Sequence, residues 1–363
     1  MFDFHVDERI SKAETLPASF YRDDKVFEAL KKHVFRNSWQ WKGCSNELFP
    51  MDDYVQPMSF LDDFIEEPVF LKKNNDNNEV NCFSNVCTHR GNLIFHHECR
   101  SKRIACGYHG RQWKKDGQLK FMPEFNEVED FPRACDHLKK YPTAKLGPHV
   151  FTSLNPAFPI NKVFDKMNER IGFLPLELFK YDSKHSKDYL VNCHWALYCD
   201  NYLEGFHIPF VHKELNKVIN YEDYKTEIFS FSNLQLAESD SEQTCFDLPK
   251  NSEDFGKNIA AYYFWIFPNM MFNFYPWGLS VNVVKPLKPN LTKVEFRTYV
   301  WDESKRDSGA GSILDKVEKE DEEIVENVQK GVNSRYYKSG RFSPKMEKGV
   351  HHFHKLISNF IST

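Results

Sequence analysis

The sequence contains no apolar run approaching the roughly 20 residues that cross a bilayer, so no membrane segment is expected. It has no basic block. Its 48 Lys and Arg are set against 52 Asp and Glu, for a net charge of −4, and this balance argues against a nucleic-acid partner. The first ten residues, M-F-D-F-H-V-D-E-R-I, lack the apolar centre of a secretory signal, and a cytoplasmic location is expected. A regular cysteine framework is also missing. The nine cysteines fall at irregular spacings, as in a reduced protein in which some thiols ligate metal. Aromatic side chains are plentiful, at 15 % with 33 Phe, and 363 residues suffice for two domains and a sizeable core.

Residues 1–37 read as an N-terminal arm with a short helix, because Val26, Leu30, Val34 and Phe35 recur at helical spacing. From 38 to 157 the pattern changes to short strands (V-Q-P-M-S-F-L, P-V-F-L-K-K, E-V-N-C-F-S-N-V, R-I-A-C) separated by turn signals at 74–78 and Asp116-Gly117, which predicts a small β domain. Residues 139–156 read as its last strand and a Pro-marked exit. A second domain, 158–363, opens with strand-like Y-L-V-N-C-H-W-A-L-Y. It continues through the strands A-Y-Y-F-W-I-F-P, M-M-F-N-F-Y, L-S-V-N-V-V-K-P and K-V-E-F-R-T-Y-V-W, and closes on a long C-terminal helix. The polar, acidic segment 238–257 reads as a loop near a pocket mouth. The expected class is α+β.

Two matched pairs lie in the β domain. Cys87-Thr88-His89 is C-x-H, and Cys106-Gly107-Tyr108-His109 is C-x-x-H. Two Cys and two His, one of each per loop, are able to bind zinc tetrahedrally. The same set matches a Rieske [2Fe–2S] centre, with Cys87 and Cys106 on one iron and His89 and His109 on the other. Gly91 and Gly110 let both loops turn tightly. The flanks, C-T-H-R-G and then C-x-Y-H-G and W-x-x-D-G, resemble the Rieske motif of ring-hydroxylating oxygenases, and that likeness favours the Rieske reading over zinc.

The second domain carries D-N-Y-L-E-G-F-H-I-P-F-V-H, Asp200 to His212. Glu204 and His207 are three apart and share a face if helical. Pro209 is expected to break the helix after His207 and swing His212 back toward the same point. Two imidazoles and an acid with open positions form the non-haem Fe(II) pattern; taken alone, the stretch is also compatible with ordinary helix-end polar residues. A third ligand is sought on the late helix. Its apolar stripe, Ile313, Leu314, Val317, Ile324, Val325, Val328 and Val332, is interrupted at Asp321, while Glu320, Glu322 and Glu323 fall toward the polar face. A buried acid is costly unless it is paired or ligates metal, so Asp321 is either half of a buried salt bridge or the third ligand.

Together these motifs resemble the catalytic (alpha) subunit of Rieske-type non-haem iron oxygenases over nearly the whole chain, most closely the quaternary-ammonium branch. W-A-L-Y-C-D-N-Y-L-E-G-F-H-I-P-F-V-H-K, F-W-I-F-P-N-M-M-F-N-F-Y-P-W and V-Q-K-G-V-N-S-R-Y-Y carry that closer likeness. The resemblance implies a β Rieske domain followed by a helix-grip, START-like catalytic domain in which a twisted antiparallel sheet packs on the late helix. It implies one [2Fe–2S] cluster on Cys87, His89, Cys106 and His109, and one mononuclear Fe(II) on His207, His212 and Asp321. Glu204 matches the family's bridging acid, which joins the iron site of one subunit to a Rieske histidine, here His109, of the next in a homotrimeric ring.

The implied reaction uses O2 and electrons passed from NAD(P)H by a flavin- or ferredoxin-type reductase. It hydroxylates or N-demethylates a small quaternary ammonium of the choline, carnitine or betaine type, as a monooxygenase rather than a dioxygenase. The alternative is an aromatic-ring-hydroxylating subunit. A Rieske ferredoxin would leave residues 158–363 unexplained. The chain departs from the family in two places. Glu204 stands where most members have Asp, and His194-Trp195 stands where many have Asn-Trp; His194 is read as a strand residue. Tyr202, Phe206, Phe210, Trp265, Phe272, Tyr275 and Trp277 are candidate rings for a cation, with about one in three expected to line the pocket.

Overall fold

The computed structural model describes residues 2, 4–74, 77–217, 224–241, 244–306 and 314–362. Parts of the expected 74–78 turn and of the 238–257 loop, together with Ile313 of the late helix, lie outside them. The chain divides into two compact units, Arg36–Phe158, and Met1–Phe35 together with Pro159–Thr363.

Within Arg36–Phe158 the strands are β1 (Gln40–Cys44), β2 (Tyr54–Leu61), β3 (Ile65–Lys73), β4 (Val80–Ser84), β5 (Cys99–Arg100), β6 (Ile104–Ala105), β7 (Gln112–Trp113), β8 (Leu119–Phe121), β9 (Lys140–Tyr141), β10 (Thr143–Leu146) and β11 (His149–Thr152). They form three antiparallel sheets, ordered β1-β11-β10, β5-β2-β3-β4-β9 and β6-β7-β8. The single strand expected across 139–156 is three short ones. Pro142, which has no N–H for a ladder, separates β9 from β10, and Gly147 at φ +52° turns β10 into β11. Val55, Phe70, Phe83, Ile94, Ile104 and Trp113 form a core that also buries Cys87 and Cys106. The two cysteine loops therefore rise from a fixed base.

The other unit is built on a seven-stranded antiparallel sheet of β12 (Lys180–Val191), β13 (Lys225–Ile228), β14 (Ser232–Glu238), β15 (Ile259–Ile266), β16 (Met270–Tyr275), β17 (Gly278–Lys288) and β18 (Leu291–Val300). Its order is β12-β18-β17-β16-β15-β14-β13. The central strands are buried on both faces, so their sequences read as nearly unbroken apolar and aromatic runs. The edge strand β12 is charged and mostly exposed, which blunts further pairing.

Around the sheet lie helices at Asn161–Ile171, Trp195–Tyr202, Leu314–Val332 and Lys348–Ile361. The W-A-L-Y segment, expected in a strand, opens a helix instead. His194 caps it, its side chain accepting from the Ala196 amide at 3.3 Å, so His194 is a helix N-cap and not a strand residue. The late helix is not the last element, because Lys348–Ile361 follows it. No described helix is long and apolar enough to cross a membrane. The 238–257 segment is anchored by Asp254, whose carboxylate is fully buried on Arg170 at 2.8 Å and also holds Lys257 at 2.6 Å and the Tyr262 hydroxyl at 3.2 Å.

Candidate metal centres

The two Cys/His loops repeat one hydrogen-bond pattern. The Cys87 amide donates to the Asn92 carbonyl (2.8 Å) and the Gly91 amide to the Cys87 carbonyl (3.0 Å). The Cys106 amide donates to the Arg111 carbonyl (2.8 Å) and the Gly110 amide to the Cys106 carbonyl (3.1 Å). Gly91 and Gly110 sit at φ +72° and +73°, where a side chain would be strained, which is why both loops use glycine there. The His89 and His109 rings face each other with centroids 4.8 Å apart.

Cys106 Sγ accepts from the Tyr108 amide (3.4 Å) and the Asn92 side chain (3.5 Å). Burial opposes its ionisation, but these donors outweigh it and hold the thiol below its ordinary range, as suits a thiolate ligand. Burial pushes Cys87 up. The buried Nδ1 of His89 has no hydrogen-bond partner among the described residues. Two thiols and two imidazoles on twin loops, with one imidazole nitrogen unspent, fit a [2Fe–2S] cluster.

Sequence reading missed the brace behind these loops. The Asp136 carbonyl accepts from Thr88 Oγ1 (2.9 Å) and Trp113 Nε1 (3.1 Å), and its carboxylate takes the buried Arg111 guanidinium at 2.5 Å. One residue outside both motifs thus ties them together. Its only signal in the sequence is an acid among the turn residues between β8 and β9.

The iron stretch folds differently from expectation. The helix ends at Tyr202, before Glu204, and residues 203–207 form a turn. Pro209 lies in the first turn of a new helix, Ile208–Val211, where its missing N–H has no intrahelical partner to lose. It opens a helix rather than breaking one. Gly205 allows the turn's close approach to the pocket wall, since a Cβ there would lie 2.7 Å from the Tyr224 ring.

The outcome still brings the three expected side chains together. His207 Nε2 lies 3.2 Å from His212 Nε2, and Asp321 Oδ1 lies 3.0 Å from His212 Nε2 and 3.6 Å from His207 Nε2. Adjacent ligands about 2.1 Å from one first-row ion are about 3 Å apart, so the set fits a single metal.

A carboxylate sits behind each imidazole. Glu204 Oε1 accepts from His207 Nδ1 at 2.6 Å, and Glu320 Oε2 from His212 Nδ1 at 2.8 Å. This fixes both tautomers with Nε2 toward the metal. Asn201 donates to Asp321 Oδ1 at 2.6 Å. Burial would lower the His212 pKa, but Asp321 and Glu320 outweigh it and raise it.

On the late helix the expected apolar stripe faces inward at Val317, Val325 and Val332 but not at Val328. Val328 is exposed, whereas Glu318, Val325, Gln329 and Val332 are buried. Glu320, expected on the polar face, turns to His212. Glu318 accepts from the buried Tyr198 hydroxyl at 2.5 Å.

A cavity of about 800 Å³, counted out to its mouth, opens beside the triad. Of the seven candidate rings, Tyr202 and Tyr275 line it. Phe206 and Phe210 are exposed, and Trp265, Phe272 and Trp277 are core. Tyr198, Tyr224, Tyr263 and Phe296 line it without having been singled out. Across the sheet Gln235 pairs with Tyr263, Tyr263 with Asn273, and Asn273 with Ser280, so the wall is one cross-strand row. Polar residues inside apolar strands were the available signal. Burial keeps these phenols neutral, pushing Tyr263 up to about 12.

Residues 178–363 match the ring hydroxylating alpha subunit (catalytic domain) family, and residues 49–132 match the Rieske [2Fe-2S] domain. The chain is 30 % identical to choline monooxygenase, chloroplastic, of Arabidopsis thaliana, over 96 % of this chain and 83 % of that one. It is 28 % identical to the carnitine monooxygenase oxygenase subunit of Escherichia coli K12, over 96 % and 94 %. In fold it matches the quaternary ammonium Rieske monooxygenase CntA with a TM-score of 0.75, 22 % identity, and 97 % and 96 % coverage. It also matches a naphthalene 1,2-dioxygenase with a TM-score of 0.70, 15 % identity, and 100 % and 96 % coverage. The chain belongs to the alpha subunits of Rieske-type ring-hydroxylating oxygenases, iron-dependent enzymes that carry a [2Fe–2S] cluster and a mononuclear iron.

Proposed function

We propose that this oxygenase hydroxylates or N-demethylates a small quaternary ammonium compound. The observation that carries the reading is the cavity wall. Tyr198, Tyr202, Tyr224, Tyr263 and Tyr275 surround it with neutral phenol rings, the Glu318 carboxylate lies among them, and no Lys or Arg lines it among the described residues. A quaternary nitrogen has no hydrogen-bond donor and is bound through ring faces and nearby negative charge. An apolar aromatic substrate gains nothing from three carboxylates and a row of amides. The choline and carnitine monooxygenases among the relatives support the same substrate class.

In this reading Cys87, His89, Cys106 and His109, in the 38–157 domain, hold the cluster. His207, His212 and Asp321, in the 158–363 domain, hold the iron, and residues 1–37 are an arm on the latter domain. The metal, when bound, supplies O2 activation and redox chemistry, while the chain supplies orientation and a water-poor cavity. Glu204 is the bridge between subunits of a homotrimer. Its carboxylate accepts from His207 Nδ1 and from the Phe206 and His207 amides. With about four acceptor positions on a carboxylate, one remains for His109 of a neighbouring copy. A flavin- or ferredoxin-type NAD(P)H reductase supplies the electrons.

The test is single turnover. The chemically reduced protein is mixed with O2 and one compound at a time: choline, carnitine, glycine betaine, stachydrine or an aromatic acid. Cluster reoxidation, product and formaldehyde are followed. Product from an ammonium compound is the expected result. Turnover with aromatic acids alone would replace the substrate reading and keep the enzyme class.

A further inference from the structure

Among the described residues lining the cavity, one buried side-chain polar atom has no partner, Gln235 Oε1. Gln235 lies on β14 and is 1 % exposed. Its amide orientation is not ambiguous, because Nε2 donates to the Tyr202 carbonyl at 2.7 Å, leaving Oε1 as the free end. The oxygens of two other amides on the wall are already engaged. Asn273 Oδ1 accepts from the Tyr202 hydroxyl (2.6 Å) and Asn282 Oδ1 from Ser280 Oγ (2.8 Å), while Asn201 Nδ2 donates to Asp321. A buried acceptor is completed as a rule by protein, an ordered water or a ligand, and beside a cavity a ligand can take that place.

We propose that Gln235 is a specificity-determining residue that accepts a hydrogen bond from the hydroxyl of the substrate, which makes the site selective for a quaternary-ammonium alcohol over carboxylate-bearing betaines. The inference rests on the ammonium reading above and deepens it. The cation itself has no donor to offer Oε1, and a hydroxyl is the donor such small molecules carry. A carboxylate is acceptor only and would meet Oε1 with like polarity. It would also lie near Glu318, the acid left on the wall once Asp321 holds the iron and Glu204 the His207 imidazole, with no Lys or Arg among the described lining residues. A site built to hydrogen-bond a hydroxyl rejects the analogue that lacks it, because its own polar group is then stranded.

The experiment uses the iron-loaded enzyme and three quaternary ammonium compounds titrated by calorimetry, with an aromatic acid as a fourth ligand. The ammonium compounds are choline, trimethylpropylammonium (similar in size, no hydroxyl) and glycine betaine (carboxylate in place of the alcohol). Choline should bind at least about tenfold more tightly than either of the others. In Gln235→Leu choline should fall to the level of trimethylpropylammonium, while trimethylpropylammonium itself stays within about twofold. Should that variant misfold, the wild-type comparison still decides. Equal binding of choline and trimethylpropylammonium, or tighter binding of glycine betaine, overturns the role of Gln235 and leaves the ammonium reading intact. Binding of the aromatic acid with none of the three ammonium compounds bound overturns both.

Discussion

Cys87, His89, Cys106 and His109 sit on two neighbouring loops that repeat one backbone pattern, whereas His207, His212 and Asp321 meet only because two helices and a turn pack against one another. In the first region geometry is local. Each cysteine closes its own loop through amide hydrogen bonds, and a shared core holds both loops. In the second, geometry is borrowed. His207 is aimed by Glu204, His212 by Glu320 from the late helix, and Asp321 by Asn201. A locally closed centre should depend on its ligands and on one brace, and an assembled centre on partners far away in the chain.

The sharpest break between the two comes from removing ligands. Asp321→Ala should lower iron from about three to about two per chain with an unchanged Rieske spectrum, and Cys87→Ser should lower it to about one with loss of acid-labile sulfide. Iron and sulfide analysis reads both, and loss of all iron in either variant would show that the centres are not independent. Next in size is the brace. Arg111→Met strands the Asp136 carboxylate and should cost about 3 kcal/mol, seen as earlier bleaching of the cluster on heating while mononuclear iron is retained. On the assembled side, Glu320→Ala should weaken iron retention against a chelator about tenfold to a hundredfold, with Glu320→Gln closer to wild type.

The smallest effect concerns acid. Burial lowers His194 from 6.5 to about 3. Below about pH 6.5 the unfolded chain takes up a proton there, and the folded chain does not until about pH 3. The stability is therefore whole above pH 6.5 and declines as the pH falls. His194→Asn, which keeps a capping side chain, should remove about 1 kcal/mol of the loss between pH 7 and 5.5 in urea titrations. An unchanged pH slope would show that His194 takes up its proton in the folded chain as readily as in the unfolded one.

This contrast also explains what was legible. The two Cys and two His of the twin loops could be picked out by spacing because their geometry is local, and the flanking residues chose a Rieske cluster over zinc. The histidines and Asp321 could be read as residue types in the right order, but the path between them could not. Pro209 reads as a breaker until the helix is known to have ended already at Tyr202. Glu318 and Glu320 were hidden because they lie beside the apolar stripe and not on it: Val317, Val325 and Val332 face inward as expected, Val328 is exposed, and the neighbouring acids turn to Tyr198 and His212. Tyr263 and Asn273 belong to strands buried on both sides, where no alternation marks the side that faces a cavity. Which pairing row they join becomes visible only with the register.

Gly205 stands between two jobs. On one side it follows Glu204 in the turn that aims His207; on the other, the space a methyl would need is occupied by the Tyr224 ring, which lines the cavity. Any larger residue would have to push that ring inward or push the turn outward. The first reshapes what fits beside the His207, His212 and Asp321 triad, and the second moves the Glu204 carboxylate that holds the His207 imidazole. The shape of the cavity and the aim of a metal-facing histidine are therefore mechanically linked at a residue with no functional group. Lineages that widen or narrow this cavity are expected to do so from the sheet side and to leave the turn alone.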